Sequence, residues 1–280
     1  MSTSGRRDLS DATGRTVSWM RTALLVVLAA LALAAPAAAV GPWPGTVSSV
    51  VSTATGEHFS VTSDGTKTEL VARRDGVTRR ATFPGTWRVP AVTSTELPGG
   101  LSPDGRLLVL AQVSNASALR QASKFLVVAT RTLTVTRAIT LNGEFGFDAL
   151  SADGRTLFLI QHRDAANLNA YVVRAYDIVR GQLAAKPVVA AGEGVTMSGY
   201  PVARATTTRG TWVYTLYWRS DGSTFIHALA TVQRRAVCLD LNWVVQNGAW
   251  TARLQLSRDG KRLVVRAPSG QVVEQVATPA

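Results

Sequence analysis

The sequence has only one cysteine in 280 residues, Cys238, which excludes a fold held together by intrachain disulfide bonds. About 240 residues follow the N-terminal apolar segment described below, and a chain of that length can bury a large core without cross-links. Cys238 lies in the strand-like run RAVCLDL, so we expect it to be buried as a small hydrophobic residue.

Lysine and glutamate are also scarce. The chain has four lysines and six glutamates, and its many arginines bring the formal net charge to +12. Such an excess favours anionic surfaces or polymers as partners. No stripe interleaves basic and aromatic residues, so nucleic acid is not the expected partner. We expect an unknown protein or an envelope polyanion or glycan; the alternative is that the arginines only keep the protein soluble.

Long hydrophobic runs are limited to one, TALLVVLAALALAAPAAAV at residues 22–40, which follows Arg15 and Arg21. Its densest part, residues 23–35, is shorter than the ~20 apolar residues of a spanning helix. The small residues at 37–39 are typical of a signal-peptide cleavage site. We therefore predict a signal peptide over residues 1–39, a single domain over residues 40–280, and a secreted or extracytoplasmic protein. The alternative is an uncleaved N-terminal anchor, which would be the one contact with a membrane.

Catalytic motifs are missing as well. The sequence contains no HExxH, no GxSxG and no Cys/His spacing typical of a metal site. Its three histidines, His58, His162 and His227, are isolated from one another along the chain. These absences leave the enzyme question open and favour a protein without turnover.

What the sequence does contain is a repeated phrase: LSPDGRLLVL at 101–110, LSADGRTLFL at 150–159 and LSRDGKRLVV at 256–265. Asp-Gly between apolar runs is a strong hairpin signal, because glycine tolerates the positive φ of a tight turn. Two weaker copies, VTSDGTKTELV at 61–71 and ATTTRGTWVYTL at 205–216, extend the series. Its phases at residues 64, 104, 153, 208 and 259 predict five units of about 48 residues.

Each unit is typical of short antiparallel strands. Residues 124–130, 171–178 and 224–230 are the expected third strands, and 133–141 is an expected outer strand. No amphipathic helix is evident after residue 40. Four strands repeated every ~40–50 residues predict an all-β fold, a β-propeller of about five four-stranded blades. The last unit lacks a fourth strand, and residues 46–54 could supply it and close the ring.

The phrase LSxDG[RK]xL with its apolar run resembles the repeats of bacterial WD-repeat-like propellers of the YVTN and TolB types. Residues 226–241 are also similar to uncharacterised exported actinobacterial proteins. The resemblance implies a propeller but little about function, since such propellers include binding scaffolds, lactonases and lyases. We expect a binding or scaffold protein without turnover; the alternative is a hydrolase or lyase acting on a carbohydrate or lactone.

The propeller resemblance implies a ligand site at the mouth of the central channel, in the loops before the inner strands. Glu57, Glu96, Glu144 and Glu193 fall in such loops, and Asp148 lies nearby. Converging carboxylates could hold Ca²⁺ or act on a glycosidic bond. We expect no cofactor, because Gly-Glu also suits a polar connecting loop with its side chain in solvent; a Ca²⁺ site is the alternative.

Aromatic residues crowd residues 200–250. Most of the run TWVYTLYW at 211–218 is expected to belong to the core, because alternate residues of a strand face opposite sides. Trp218 and Arg219 are the aromatic and basic pair that we expect at the surface, where such side chains commonly contact sugars or proteins.

Overall fold

The computed structural model describes residues 45–113, 119–164, 167, 170–191, 194–245 and 251–279. These residues belong to one compact unit and form 21 β-strands and no α-helix. None of the described residues belongs to a helix that is long and apolar enough to cross a membrane. The predicted signal peptide and its alternative, the anchor, lie outside the described residues.

The strands form five antiparallel sheets that follow one another along the chain. The first sheet contains β2 (Ser49–Val51), β3 (His58–Ser63), β4 (Lys67–Arg74) and β5 (Val77–Pro84). The second contains β6 (Trp87–Pro90), β7 (Leu107–Gln112), β8 (Ala122–Ala129) and β9 (Thr134–Asn142), with β1 (Thr46–Val47) beside β6. The third contains β10 (Glu144–Leu150), β11 (Thr156–His162), β12 (Ala170–Asp177), β13 (Gln182–Leu183) and β14 (Met197–Ser198). The fourth contains β15 (Tyr200–Thr206), β16 (Trp212–Trp218), β17 (Thr224–Ala230) and β18 (Arg235–Asp240). The fifth contains β19 (Arg253–Leu256), β20 (Arg262–Arg266) and β21 (Val272–Ala277).

Consecutive sheets pack face to face, and each interface has its own hydrophobic cluster. In β7, Leu108 and Leu110 face the first sheet, while Val109 and Ala111 face the third. Because successive side chains of a strand point to opposite faces, a sheet covered on both faces needs a continuous apolar run. The apolar runs that follow the repeated turns are therefore explained by burial on both faces.

The outer faces of the first and fifth sheets are polar. Thr62, Arg80 and Thr82 are exposed on the face of the first sheet that points away from the second. Arg253 and Gln255 are exposed on the corresponding face of the fifth sheet. Within the described ranges no hydrophobic cluster joins the first sheet to the fifth.

The predicted closure of a ring by residues 46–54 is wrong. Thr46 and Val47 pair with Pro90 and Val89 of the second sheet. Residues 49–51 pair with residues 58–60 of the first sheet. The reason is that the first unit needs an innermost strand of its own, and β2 is that strand; the fifth sheet has three strands in the described part of the chain.

The same hydrogen bonds recur in each copy of the repeated turn. At each repeat, the N–H of a Ser or Thr donates to the carbonyl five residues later, at 2.9 to 3.0 Å. In the three clear copies the Ser hydroxyl also donates to the Asp two residues on, as Ser102 does to Asp104. That hydroxyl in turn accepts the N–H of the residue that starts the next strand, as it does from Leu107. The five residues that begin these turns are Ser52, Ser102, Ser151, Thr207 and Ser257.

The weak copy at 205–216 is a turn of the same kind, because Thr207 accepts the N–H of Trp212 as Ser102 accepts that of Leu107. Its predicted phase at residue 208 is wrong by one residue, because the Gly210 N–H donates to the Thr207 carbonyl as the Gly105 N–H donates to that of Ser102, so Arg209 takes the place of Asp104. The predicted first copy around Asp64 is wrong. Asp64 belongs to the hairpin between β3 and β4, the second and third strands of the first sheet. The true equivalent is the turn at residues 52–57, in which Gly56 takes the positive φ although no aspartate precedes it.

Candidate functional site

The sheets have two ends that carry different connections. In the second sheet, Leu107 pairs with Ala129, so the turns at 102–106 and 130–133 lie at the same end. Trp87 pairs with Gln112 at the opposite end, where residues 113–121 join β7 to β8. The third and fourth sheets have the same orientation, because the Ala152 N–H donates to Thr231 Oγ1 across them. The second and third sheets do as well, because a Cβ on Gly154 would lie 2.9 Å from Leu107 Cδ1. We call the first end the turn end. In sheets two to four it comprises residues 102–106, 130–133, 151–155, 178–181, 207–211 and 231–234. The opposite end is the loop end.

Glu57 lies at the turn end and not at the predicted channel mouth. It belongs to turn 52–57, and a Cβ on Gly105 would approach Ser52 Oγ to 2.5 Å, which places this turn against the repeated turn of the second sheet. The Arg79 guanidinium donates to Glu57 and also to the backbone carbonyls of Thr130 and Arg131. Glu57 therefore joins the first sheet to the second.

Glu144 begins β10 at the loop end. Its carboxylate accepts hydrogen bonds from the backbone N–H of Arg120, at 2.8 Å, and from the Arg120 guanidinium. The same guanidinium donates to the carbonyl of Phe145 at 2.9 Å. Glu57 and Glu144 thus lie at opposite ends of the second sheet, and each forms an ion pair with a different arginine.

Asp148 is buried between the third and fourth sheets. It is 4% exposed and forms an ion pair with Arg204 of β15. The Arg204 guanidinium also donates to the Asp148 carbonyl and to Thr215 Oγ1. The carboxylate is therefore a structural partner of a buried cation and has no access to a channel mouth.

The remaining carboxylate candidates are separate from these. Glu96 is exposed in the segment that interrupts the inner strand of the second sheet, with a φ of 61°. Glu193 lies outside the described residues. Across the described ranges, no three His, Cys, Asp or Glu side chains come together as a metal ion would require. The described carboxylates do not form the predicted common site, because three different arginines hold three of them in three different places.

Trp218 and Arg219 are half-buried rather than freely exposed. The Trp218 indole N–H donates to the carbonyl of Val245 at 3.1 Å. Arg219 stacks over the Phe225 ring, 4.0 Å from its centroid, and lies 3.7 Å from Asp240. It lines a small cavity of about 70 Å³ between the third and fourth sheets, together with Met197, Phe225 and Cys238 among others. Small-molecule sites usually have roughly 300–1,000 Å³, so this cavity is too small for most ligands.

The same interface contains a buried histidine. His227 is 2% exposed, lies opposite Thr215 and Cys238 in neighbouring strands, and its Nε2 has no hydrogen-bond partner in the structure. Burial lowers its pKa to about 4, with the Asp148 carboxylate acting in the opposite direction. Burial also raises the pKa of the neighbouring Tyr217 and Tyr171. At neutral pH His227 is therefore uncharged.

The turn end carries a row of arginines. The site of converging carboxylates that the sequence predicts does not include them. Each repeated turn and each second hairpin of sheets two to four contributes one exposed arginine. Three aspartates lie in or beside the same turns, Asp104, Asp153 and Asp177. Of the arginines, one lies 3.5 Å from Asp104 and another 3.7 Å from Asp177. The six arginines are Arg106, Arg131, Arg155, Arg180, Arg209 and Arg234.

The loop end of the same sheets has no such excess among its described residues. Its loops 113–121, 142–144, 163–169 and 219–223 present three arginines and three acidic residues. The first of these arginines is the one engaged by Glu144. The six residues are Arg120, Arg163, Arg219, Glu144, Asp164 and Asp221. The two ends therefore differ in charge, and the turn end is the more positive. A sequence signal for this exists, since an arginine follows Asp-Gly in two of the three clear copies.

No family model and no curated protein matches the sequence. Solved structures with a similar arrangement include TolB from Acinetobacter baumannii, at 15% identity and a TM-score of 0.42, with 72% of this chain and 44% of TolB covered. The beta-propeller domain of Cps50 (Swd1) from Myceliophteria thermophila gives 13% identity and a TM-score of 0.45, with 79% of this chain and 62% of that domain covered. The uncharacterized protein lmo1340 from Listeria monocytogenes EGD-e gives 9% identity and a TM-score of 0.40, with 84% and 82% covered. The chain thus spans less than two thirds of the first two structures, and TM-scores below 0.5 identify neither a ligand nor a blade number.

Proposed function

We propose that this protein is an extracytoplasmic binding or scaffold protein, a propeller-type array of five sheets without catalytic turnover. We further propose that it binds an anionic polymer of the cell envelope through its turn end. The observation that carries this proposal is the arrangement of six exposed arginines on the turns of three consecutive sheets. The proposal that the protein is exported rests on the apolar segment at residues 22–40, which has the features of a signal peptide.

Arginine suits this role for a chemical reason. Its planar guanidinium stays charged and matches phosphate and carboxylate groups with two parallel hydrogen bonds. Several such groups on a rigid scaffold can bind successive charges of one polymer, so that weak single contacts add up. Because the turns are fixed by Ser–Asp hydrogen bonds and by contacts between sheets, the arginines are presented from well-ordered backbone.

The carboxylates support a role without turnover. Three of the five candidate acids are held by arginines, and a general acid or a nucleophile needs a carboxylate that faces substrate. No observation in the described residues favours the hydrolase or lyase alternative. A Ca²⁺ role for Glu57, Glu144 and Asp148 is likewise not favoured, because a guanidinium already neutralises each of these three.

The proposal is tested by binding long-chain inorganic polyphosphate to the purified protein and to the triple variant Arg106→Ser, Arg155→Ser, Arg209→Ser. We expect the triple variant to bind at least about tenfold more weakly, since each lost charge contact in such systems costs several tenths of a kcal/mol or more. We also expect a shallower dependence of its affinity on salt, because fewer counterions are released. Polygalacturonate, titrated in parallel, distinguishes a polymer of carboxylates from one of phosphates.

The matched control is the triple variant Lys67→Ser, Lys124→Ser, Arg163→Ser, which removes three charges near the loop end. It should bind within about twofold of the wild type, because screening limits the reach of a charge to ~8–10 Å. Equal losses in both triple variants would show that only net charge matters. That result would contradict the proposed binding site.

A further inference from the structure

The fifth sheet differs from the other four at its outer edge. In each of the first four sheets the third strand is paired on both sides, as β8 is with β7 and β9. In the fifth sheet the third strand, β21, is paired with β20 alone among the described residues. An unpaired edge presents a row of backbone N–H and C=O groups that can pair with another strand.

The direction of these groups follows from the hydrogen bonds of β21. The N–H of Thr278 donates to the carbonyl of Lys261, so residue 278 faces β20. Because backbone groups alternate along an antiparallel strand, Val276 and Glu274 also face β20, while Gln275 and Ala277 point outward. The outward N–H groups of these two residues are therefore available to a further strand.

The side chains of β21 do not protect this edge. Proteins usually block edge strands with charged residues or proline. The long outer strands of the other sheets follow that rule: β5 contains Arg79, Arg80 and Pro84, β9 contains Arg137, and β18 contains Arg235. The sequence of β21, VVEQVA, has no arginine, lysine or proline. Its single charge, Glu274, accepts the N–H of Asn242 at 3.1 Å.

We propose that β21 pairs with β21 of a second copy of this chain, which joins two fifth sheets into one continuous antiparallel sheet across a two-fold axis. A second copy fits because the chain has a net charge of +12, so most surfaces of two copies repel each other, whereas this strand carries no positive charge. A two-fold axis at Gln275 places the two Gln275 residues opposite each other. It also places Glu274 opposite Val276, so that no like charges face each other.

The test compares the mass in solution of the wild type with that of Gln275→Pro and Gln275→Ala, by light scattering and sedimentation over a range of concentrations. Proline at 275 removes an outward N–H and leaves the bonds between β20 and β21 intact. Alanine at 275 keeps the N–H and is the matched control. We expect concentration-dependent dimers of the wild type and of Gln275→Ala, and a monomer for Gln275→Pro.

A second variant, Ala277→Pro, guards against a folding defect specific to residue 275. It removes the other outward N–H and is expected to be monomeric as well, with an unfolding midpoint close to that of the wild type. A wild type that is monomeric at its highest soluble concentration would overturn the proposal. So would dimers that persist in a folded proline variant, because they would show another interface.

Discussion

At the scale of single residues, arginine side chains determine what the acidic residues can do. Glu57, Glu144 and Asp148 are each held by a different arginine. Those arginines, at positions 79, 120 and 204, are 22 to 56 residues away from their partners along the chain, and no spacing rule links them. The glutamates were therefore visible in the sequence as a sparse set in loops, but their partners and their separation were not.

The buried His227 makes stability depend on pH. Its pKa is about 4 in the folded protein and 6.5 in an ordinary environment, so the unfolded chain binds a proton first as the pH falls. The stabilisation is complete above pH 6.5 and is lost as the pH falls toward 4. We expect the free energy of unfolding of the wild type to decrease by up to about 3 kcal/mol across this window because of His227.

This expectation is checked by urea unfolding of the wild type and of His227→Leu at a series of pH values between 7 and 4. The leucine variant should lose much less stability on acidification, since it has no imidazole to protonate. The matched control is His58→Leu, which removes a half-buried histidine of β3 and measures the effect of deleting an imidazole elsewhere in the chain. An equally steep profile for His227→Leu would show that other groups cause the pH dependence.

At the scale of elements, much of the strand pattern could be predicted from the sequence. The expected third strands at 124–130, 171–178 and 224–230 correspond to β8, β12 and β17. The apolar runs after the repeated turns are strands covered on both faces. For the first unit the sequence predicts the wrong turn, because Ser-Asp-Gly at residues 63–65 has the strongest turn signal there. The turn at 52–57 makes the equivalent Ser52 to Glu57 backbone bond without an Asp-Gly pair.

Two glycines of equivalent turns provide a test of how the elements pack. Gly210 and Gly260 have φ values of +67° and +71°, so alanine at either position costs about 1–2 kcal/mol in backbone strain. A Cβ on Gly210 would lie 2.0 Å from Cγ of Pro103 in the second sheet, whereas a Cβ on Gly260 would meet no atom within 4 Å. We expect Gly210→Ala to be more destabilising than Gly260→Ala by a further 1–3 kcal/mol or so, typical of overpacking.

Chemical denaturation of the two alanine variants measures this difference. Adding Pro103→Ala should recover part of the loss in Gly210→Ala and none in Gly260→Ala, because only the first clash involves Pro103. Equal losses in the two single variants would mean that the turns of the second and fourth sheets do not touch in solution.

At the scale of the whole molecule, the succession of five sheets follows from a periodicity that is readable in the sequence. The five turns begin at residues 52, 102, 151, 207 and 257, so that each unit adds one sheet to the array. Closure could not be predicted, because it depends on which sheet residues 46–51 join, and hairpin signals do not specify pairing between distant segments. The polar outer faces of the first and fifth sheets could not be predicted either. They depend on which alternate side chains of each strand face away from the neighbouring sheet.

The difference in charge between the two ends emerges only at this scale. Four of the five repeated turns can be recognised in the sequence, but the sequence does not show that the second hairpin of each sheet lies at the same end. Antiparallel order places both hairpins together, and contacts such as that of Ala152 with Thr231 align neighbouring sheets. Arginines that are scattered along the chain thereby gather on one surface.

The most direct test of the account is hydrogen exchange of backbone amides with and without saturating polyphosphate. We predict slower exchange in peptides that contain residues 102–107, 151–156 and 207–212 at the turn end. Peptides that contain residues 63–67 and 84–88, at the other end of the first sheet, should exchange at the same rate with and without the polymer. Protection confined to the loop end, or none at a concentration that saturates binding, would contradict the assignment of function to the turn end.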